Sequence, residues 1–327
     1  MVARRHHYVP RCYLKGFSVP RKGKPQVQVF DKVLRKAFAT AIDNVALERD
    51  FNTVKVDGLE PDAFEKAMAS FEGELASSLE RIIAAQSLEN MDDRATLLNF
   101  ITFLALRNPR QREMMRDFHE RVAKQIMNVA LATPERWAHQ VKKATEAGYL
   151  KPNITITYEE MKKFVADGEY DVVVPTERHI QLEVGTFEKL LALIFRRGWI
   201  LLKVPGDSGG FITSDHPVCL MTVGPRSPGV FTRPGYGLRN TEVLFPISSR
   251  LGLVGSFETE DDVAEINDQM LSDFNGAVAA HAERQVYSRD HQFKYSFKEG
   301  TQPRKASKLI DDRDFRARED DDNDEDE

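Results

Sequence analysis

The residues best equipped for chemistry stand at the start of the chain. There Arg4-Arg5-His6-His7-Tyr8-Val9-Pro10-Arg11-Cys12-Tyr13-Leu14-Lys15-Gly16-Phe17 gathers two imidazoles, two phenols and three guanidinium groups around one proline. Imidazole exchanges a proton near neutral pH, and an arginine held beside it offers a forked pair of donors to phosphate or carboxylate. Together they would suit acid–base work on an anionic substrate, with Tyr8, Arg11 and Tyr13 as ligand-binding neighbours. The same residues also fit a terminal strand pinned by aromatic packing, with histidines as hydrogen-bonding filler. Successive residues of a strand face opposite sides, so His6 and His7 cannot both reach one point unless the backbone bends, and one of them should point inward. Pro10 suits the first position of a helix. Arg11 to Phe17 then reads as a short helix with Tyr13, Leu14 and Phe17 close together.

Three other polar residues join these candidates. In the helix opened by Glu60-Pro61-Asp62, the residues Phe64, Met68, Phe71, Leu75, Leu79 and Ile82 recur at three- and four-residue steps and form one apolar stripe. Glu72 falls inside that stripe, where a carboxylate needs either an arginine partner or a catalytic or ligand-holding function. The next helix, Asp92 to Leu106, is apolar almost all round and belongs in the middle of a bundle. It ends at Arg107-Asn108-Pro109, and a further helix runs from Arg110 to Leu131. Arg107 favours the dipole at its helix end, and it is also placed to pair with Glu72 or to clamp an anion; Arg110 is a second ligand-binding candidate. Thr213-Ser214-Asp215-His216-Pro217 follows an apolar strand, a position from which side chains commonly reach a cleft. Asp215 could orient an imidazole, hold a divalent ion with Glu72, or cap a turn through its own backbone. The catalytic candidates are therefore His6, His7, Glu72, Arg107 and Asp215.

No H-E-x-x-H, paired C-x-x-C, EF-hand or phosphate loop occurs. A divalent metal held by His6 or His7 with Glu72 and Asp215 would draw its ligands from distant segments and escape a motif search, so the cofactor stays open. Gly206-Asp207-Ser208-Gly209-Gly210 spells the nucleophile loop of chymotrypsin-like proteases. Those folds are double β-barrels with a histidine motif upstream, whereas the chain before Ser208 is largely helical and has none. The run reads instead as a glycine-rich hairpin turn.

The run His6-His7-Tyr8-Val9-Pro10, followed by Tyr13-Leu14 and Phe17, resembles the opening signature of the mostly bacterial domain of unknown function 4238 family. Further matches fall at Phe71-Glu72, Leu106-Arg107-Asn108-Pro109-Arg110, Phe211-Ile212-Thr213-Ser214-Asp215-His216-Pro217 and Leu244-Phe245-Pro246-Ile247-Ser248. His216 stands where the family has asparagine. The resemblance spans nearly the whole chain except the acidic tail. It implies no settled activity, so it marks positions rather than chemistry.

The chain of 327 residues, 41% hydrophobic, is long enough for one large core. One composite domain is expected over 1–298, helical over 60–197 and sheet-rich over 199–288, with a disordered acidic tail over 299–327. Lys24 to Phe38 reads as a hairpin turning near Asp31-Lys32. Short apolar runs punctuated by Gly and Pro follow Trp199 as strands, then a last helix over Asp261 to Ala282 and a strand over Arg284 to Tyr287. The fold class expected is α+β, an N-terminal helical bundle packed on a C-terminal, mainly antiparallel sheet. Cys12 and Cys219 form no disulfide framework. No apolar run approaches membrane-spanning length and the start lacks the apolar core of a secretion signal, so a cytoplasmic protein without a membrane partner is expected. The net charge is −5, and setting aside the eight carboxylates of Glu319 to Glu327 leaves a body at +3. A mildly basic body admits an anionic ligand or nucleic acid as partner; oligomeric state is not encoded.

The function expected from these features is that of a hydrolase, preferably a phosphodiesterase or nuclease. A histidine would act as general acid or base, the carboxylates would orient it or bind metal, and Arg107 with Arg11 would stabilise developing charge. The alternative is a non-catalytic module that binds an anionic ligand or serves regulation.

Overall fold

The computed structural model describes residues 5–21, 23–49, 51, 63–151, 156–168, 170–206, 208–224 and 234–316. The beginning of the chain is rich in strands: β1 (Arg5–His7), α1 (Arg11–Leu14) with a 3₁₀ turn at Lys15–Phe17, then β2 (Val19–Arg21), β3 (Lys24–Asp31), β4 (Lys36–Ala41) and β5 (Leu47–Arg49). Six helices follow: α2 (Ala63–Ala85), α3 (Met91–Leu106), α4 (Pro109–Ala130), α5 (Pro134–Glu146), α6 (Tyr158–Asp167) and α7 (Thr176–Phe195). The remainder is β6 (Gly198–Lys203), β7 (Thr213–Ser214), β8 (Cys219–Thr222), β9 (Thr241–Pro246), β10 (Leu251–Ser256), β11 (Asp262–Glu265), α8 (Asp268–His281), β12 (Gln285–Ser288), β13 (Lys294–Tyr295), β14 (Arg304–Lys305) and α9 (Arg313–Arg316).

The expected N-terminal helical bundle is not what forms. The class is α+β, but strands β1–β5 precede the helices, and the long strand β3 pairs antiparallel with β12 from the far end of the chain, from Asp31↔Gln285 to Gln28↔Ser288. Local periodicity exposes a hairpin but not the distant strand that will flank it, and this is why a sequential reading placed the helices first. β3 also pairs with β2 and, over its last six residues, with β4, while β7 lies on the other side of β12. A second sheet runs β11-β6-β10-β9-β8, antiparallel except for the parallel β11–β6 pair.

The chain divides into two compact units, Met1–Asn108 with Gln181–Glu327, and Pro109–Ile180. In the second unit, α5 starts where Thr133 accepts the Arg136 amide, and α6 starts with a capping box between Thr157 and Glu160. The Tyr158 hydroxyl donates to the Leu131 carbonyl at 3.0 Å.

The first unit is packed around aromatic rings. Tyr13 of α1 lies 5.3 Å from Phe17, 5.4 Å from Phe100 of α3 and 5.3 Å from Phe245 of β9, centroid to centroid. Each such pair adds about 0.5–1.5 kcal/mol beyond the area it buries. α3 is therefore apolar on most of its circumference because α2 and this cluster both cover it, without a surrounding bundle. Of the stripe on α2, Leu75, Leu79 and Ile82 are buried and Phe71 is partly so. The start expected at Glu60-Pro61-Asp62, and the Phe64 side chain, lie outside the described residues.

Three local expectations are corrected. The last helix begins at Asp268, capped by Asn267, because Asp262–Glu265 is captured as the parallel strand β11; Val263 and Met270 are left about half exposed, at 48% and 51%. The glycine-rich run after β6 is not a hairpin turn, since β6 and β7 belong to different sheets. Gly209 and Gly210 have φ of +77° and +81°, and a Cβ on either would meet a backbone carbonyl oxygen, of Gln292 at 2.5 Å or of Ser249 at 2.4 Å. The Ser208 hydroxyl donates to the Pro205 carbonyl at 2.9 Å, a structural use. Finally, residues 299–316, assigned by composition to the tail, carry β14, a 3₁₀ helix and α9, with Ala306, Leu309 and Phe315 fully buried. Few hydrophobes suffice when each one enters an existing core. No helix among the described residues is long and apolar enough to cross a membrane.

Candidate functional site

Asp215 stands just beyond β7, buried at 4% exposure. Its Oδ1 accepts the Glu283 amide at 2.9 Å, and its Oδ2 accepts the amides of Arg284 and Gln285, both at 2.8 Å. Burial pushes its pKa up to about 6, and the three backbone donors resist that rise by favouring the carboxylate. Of the alternatives open to Asp215, the carboxylate thus takes up a capping role, although the backbone it caps is seventy residues away rather than its own turn.

Tyr8 lies within the field of this carboxylate. Burial first, and the Asp215 charge second, raise the Tyr8 phenol well above its ordinary pKa, so the phenol stays neutral at physiological pH. Tyr287 is raised in the same way, by burial and then by Tyr8 and Asp215. The Tyr8 ring also lies 5.8 Å from the Phe51 ring. The Arg107 guanidinium sits over Phe51 at 5.1 Å and over Phe103 at 4.8 Å, and Phe103 in turn faces Phe71 at 6.2 Å. Arg107 is the C-terminal cap of α3, where Pro109 ends the helix, and its side chain turns inward at 3% exposure. A cation between two ring faces is held by the ring quadrupoles, at about 2 kcal/mol where water is excluded.

These contacts draw Tyr8, Arg107 and Asp215 into one neighbourhood. His6 and His7 lie on β1, the strand that runs directly into Tyr8 and pairs with β5 as His6↔Glu48 and His7↔Leu47. The strand alternates as the period requires: His6 is buried at 2% and His7 is half-buried. Glu72 follows Phe71 on α2 and faces α1, where burial and then the Glu72 charge push the Cys12 thiol up to about 11.

The remaining candidates are placed elsewhere. The Tyr13 hydroxyl lies 2.6 Å from Thr213 Oγ1 and donates to the Pro246 carbonyl at 2.7 Å, inside the core. Arg11 is surface-exposed and pairs with Asp43 at 3.0 Å. Arg110 belongs to the second unit, in the first turn of α4.

Sequence reasoning missed the residues that brace the site. Asp31, fully buried, accepts Arg284 Nε at 2.8 Å, Gln285 Nε2 at 2.6 Å and the amides of Val33 and Leu34 at 3.0 and 2.8 Å. Its one visible signal was an acidic residue closing the weakly alternating stretch Val27 to Phe30. Asn275 is a second brace: it accepts the Ile212 amide and donates to the carbonyls of Gly210 and Lys294. The metal arrangement built on His6 or His7 with Glu72 and Asp215 finds no support: among the described residues no group of three or more His, Cys, Asp or Glu side chains is placed to hold a cation.

No curated protein and no solved structure matches the chain. A family model described as "Protein of unknown function (DUF4238)" matches residues 5–292. That span contains every residue of the Tyr8, Arg107 and Asp215 neighbourhood, and the chain belongs to the DUF4238 family.

Proposed function

We propose that the protein binds a phosphate-bearing anion beside Tyr8 and Arg107, with His6 or His7 of the adjoining strand β1 as its acid–base neighbour. The observation that carries this reading is the buried Arg107 guanidinium between the Phe51 and Phe103 rings, one ring removed from Tyr8. Guanidinium keeps its charge when buried, and its planar fork matches phosphate geometry while its faces rest on aromatics. A neutral Tyr8 adds a hydroxyl without adding negative charge. The net charge of the body, once the acidic tail is set aside, favours the same ligand class, nucleic acid included. A cytoplasmic location belongs to the same proposal.

A second reading, hydrolysis of a phosphodiester, is favoured by Asp215, whose pKa of about 6 lies where acid–base groups work. In that reaction water adds to phosphorus, its proton passes to His6 or His7, the P–O bond to the leaving group breaks, and Arg107 stabilises the extra charge. Bis(p-nitrophenyl) phosphate tests both readings together. Heat on titration without p-nitrophenolate release supports binding alone, release lost in His6→Ala or His7→Ala supports hydrolysis, and neither signal overturns the proposal.

A further inference from the structure

We infer that β4 is a self-association edge, through which two copies of this chain pair antiparallel and join their sheets. Among the described residues β4 pairs with β3 alone, and its first four residues, Lys36 to Ala39, are exposed. The hairpin tip beside it is apolar and outward: Val33 is 66% exposed, Leu34 51% and Phe38 37%. That tip is held in place, since Asp31 accepts the amides of Val33 and Leu34 and Arg35 takes the left-handed conformation with φ of 51°. An exposed edge presents unpaired amides and carbonyls as a template for another strand, and proteins usually blunt it with charge or proline. Between Ala37 and Ala41 there is neither.

The order of charges along the strand selects a second copy. Arg35 and Lys36 lead into β4 and make no ion pair among the described residues, while Asp43 follows its end. A two-fold axis through Ala39 brings the turn before β4, with Arg35, of one copy toward the 3₁₀ turn after β4, with Asp43, of the other at both ends of the contact. The same register faces Phe38 with Thr40, an aromatic and β-branched pair, and aligns the alanines at 37, 39 and 41 on one side. Asp43 remains available because its pair with Arg11 is exposed on both partners and weakly held. One six-residue edge with its tip falls short of the roughly 1,200 Å² of a stable interface, so the association should be weak and concentration-dependent.

Sedimentation velocity on the full chain between about 5 and about 500 µM tests the inference through mass action. A shift from monomer to dimer is expected across that range. Arg35→Asp sets like charges opposite and should raise the dissociation constant by at least about tenfold, or about 1.4 kcal/mol. Under mild oxidation Ala39→Cys should trap a disulfide dimer, because the two copies place that position face to face, whereas Ala37→Cys should not. Cys219 is buried and the Cys12 thiol sits at about 11, so the native thiols give little background. A chain that stays monomeric throughout, or a dimer indifferent to Arg35→Asp and not trapped by Ala39→Cys, overturns the inference.

Discussion

Asp215 and Gln285 hold each other in both directions: the Asp215 amide donates to the Gln285 carbonyl at 2.9 Å, and the Gln285 amide donates to Asp215 Oδ2 at 2.8 Å. With the amides of Glu283 and Arg284 also bound, one carboxylate takes three successive amides of the turn between α8 and β12, while Lys32 serves the Ala282 and Arg284 carbonyls. That turn sends β12 between β7 and β3. Asp215 therefore helps assemble the sheet of β2, β3, β12 and β7, whatever else its acidity supports.

Asp215→Asn should destabilise the protein. The amide oxygen can replace one acceptor, but the NH₂ group then faces a backbone N–H, and a buried donor left unsatisfied costs about 1–3 kcal/mol. Urea unfolding measures the loss, and hydrogen exchange should quicken first at 283–285. Unchanged stability and unchanged exchange would show that the cap is dispensable.

The pH dependence has a definite sign. The folded pKa of Asp215, about 6, lies above its ordinary value of 3.8, so the folded state binds the proton more tightly. Its contribution to stability is full below about 4, declines as pH rises through about 6, and is level above that. The melting-temperature advantage of wild type over Asp215→Asn should shrink between those limits. An advantage that grows with pH in the same window contradicts the assignment.

Tyr13→Phe should cost about 1–3 kcal/mol, since the lost hydroxyl leaves Thr213 Oγ1 and the Pro246 carbonyl buried without their partner. Binding of bis(p-nitrophenyl) phosphate should persist in the folded variant. Lost binding with intact folding would move Tyr13 from the core to the site.

The legible and illegible parts of this molecule divide by the range of the interactions. Stripes such as Leu75, Leu79 and Ile82, the stop at Arg107-Asn108-Pro109, and the alternation that turns one of His6 and His7 inward depend on near neighbours and could be read directly, though which of the two is buried could not. The pairing of β3 with β12, the capture of Asp262–Glu265 by β6 and the clasp of Asp31 on Arg284 depend on partners dozens to hundreds of residues away. No local pattern specifies them. For the same reason Asp215 could be singled out as a polar residue at a strand end, while its three amide partners could not be named.

Arg107→Lys should weaken binding nearly as much as Arg107→Met, because an ammonium has neither the planar fork nor the flat face that rests on Phe51 and Phe103. A loss of at least about tenfold in each is expected by calorimetry. Full rescue by lysine would reduce the role of Arg107 to simple charge.

The most direct measurement is calorimetric titration of bis(p-nitrophenyl) phosphate into wild type, Arg107→Met and Arg11→Met, with folding of each checked by circular dichroism. Saturable binding in wild type and Arg11→Met, abolished in a folded Arg107→Met, is the predicted result. Equal binding in all three, or binding in none, would contradict an anion site at the end of α3.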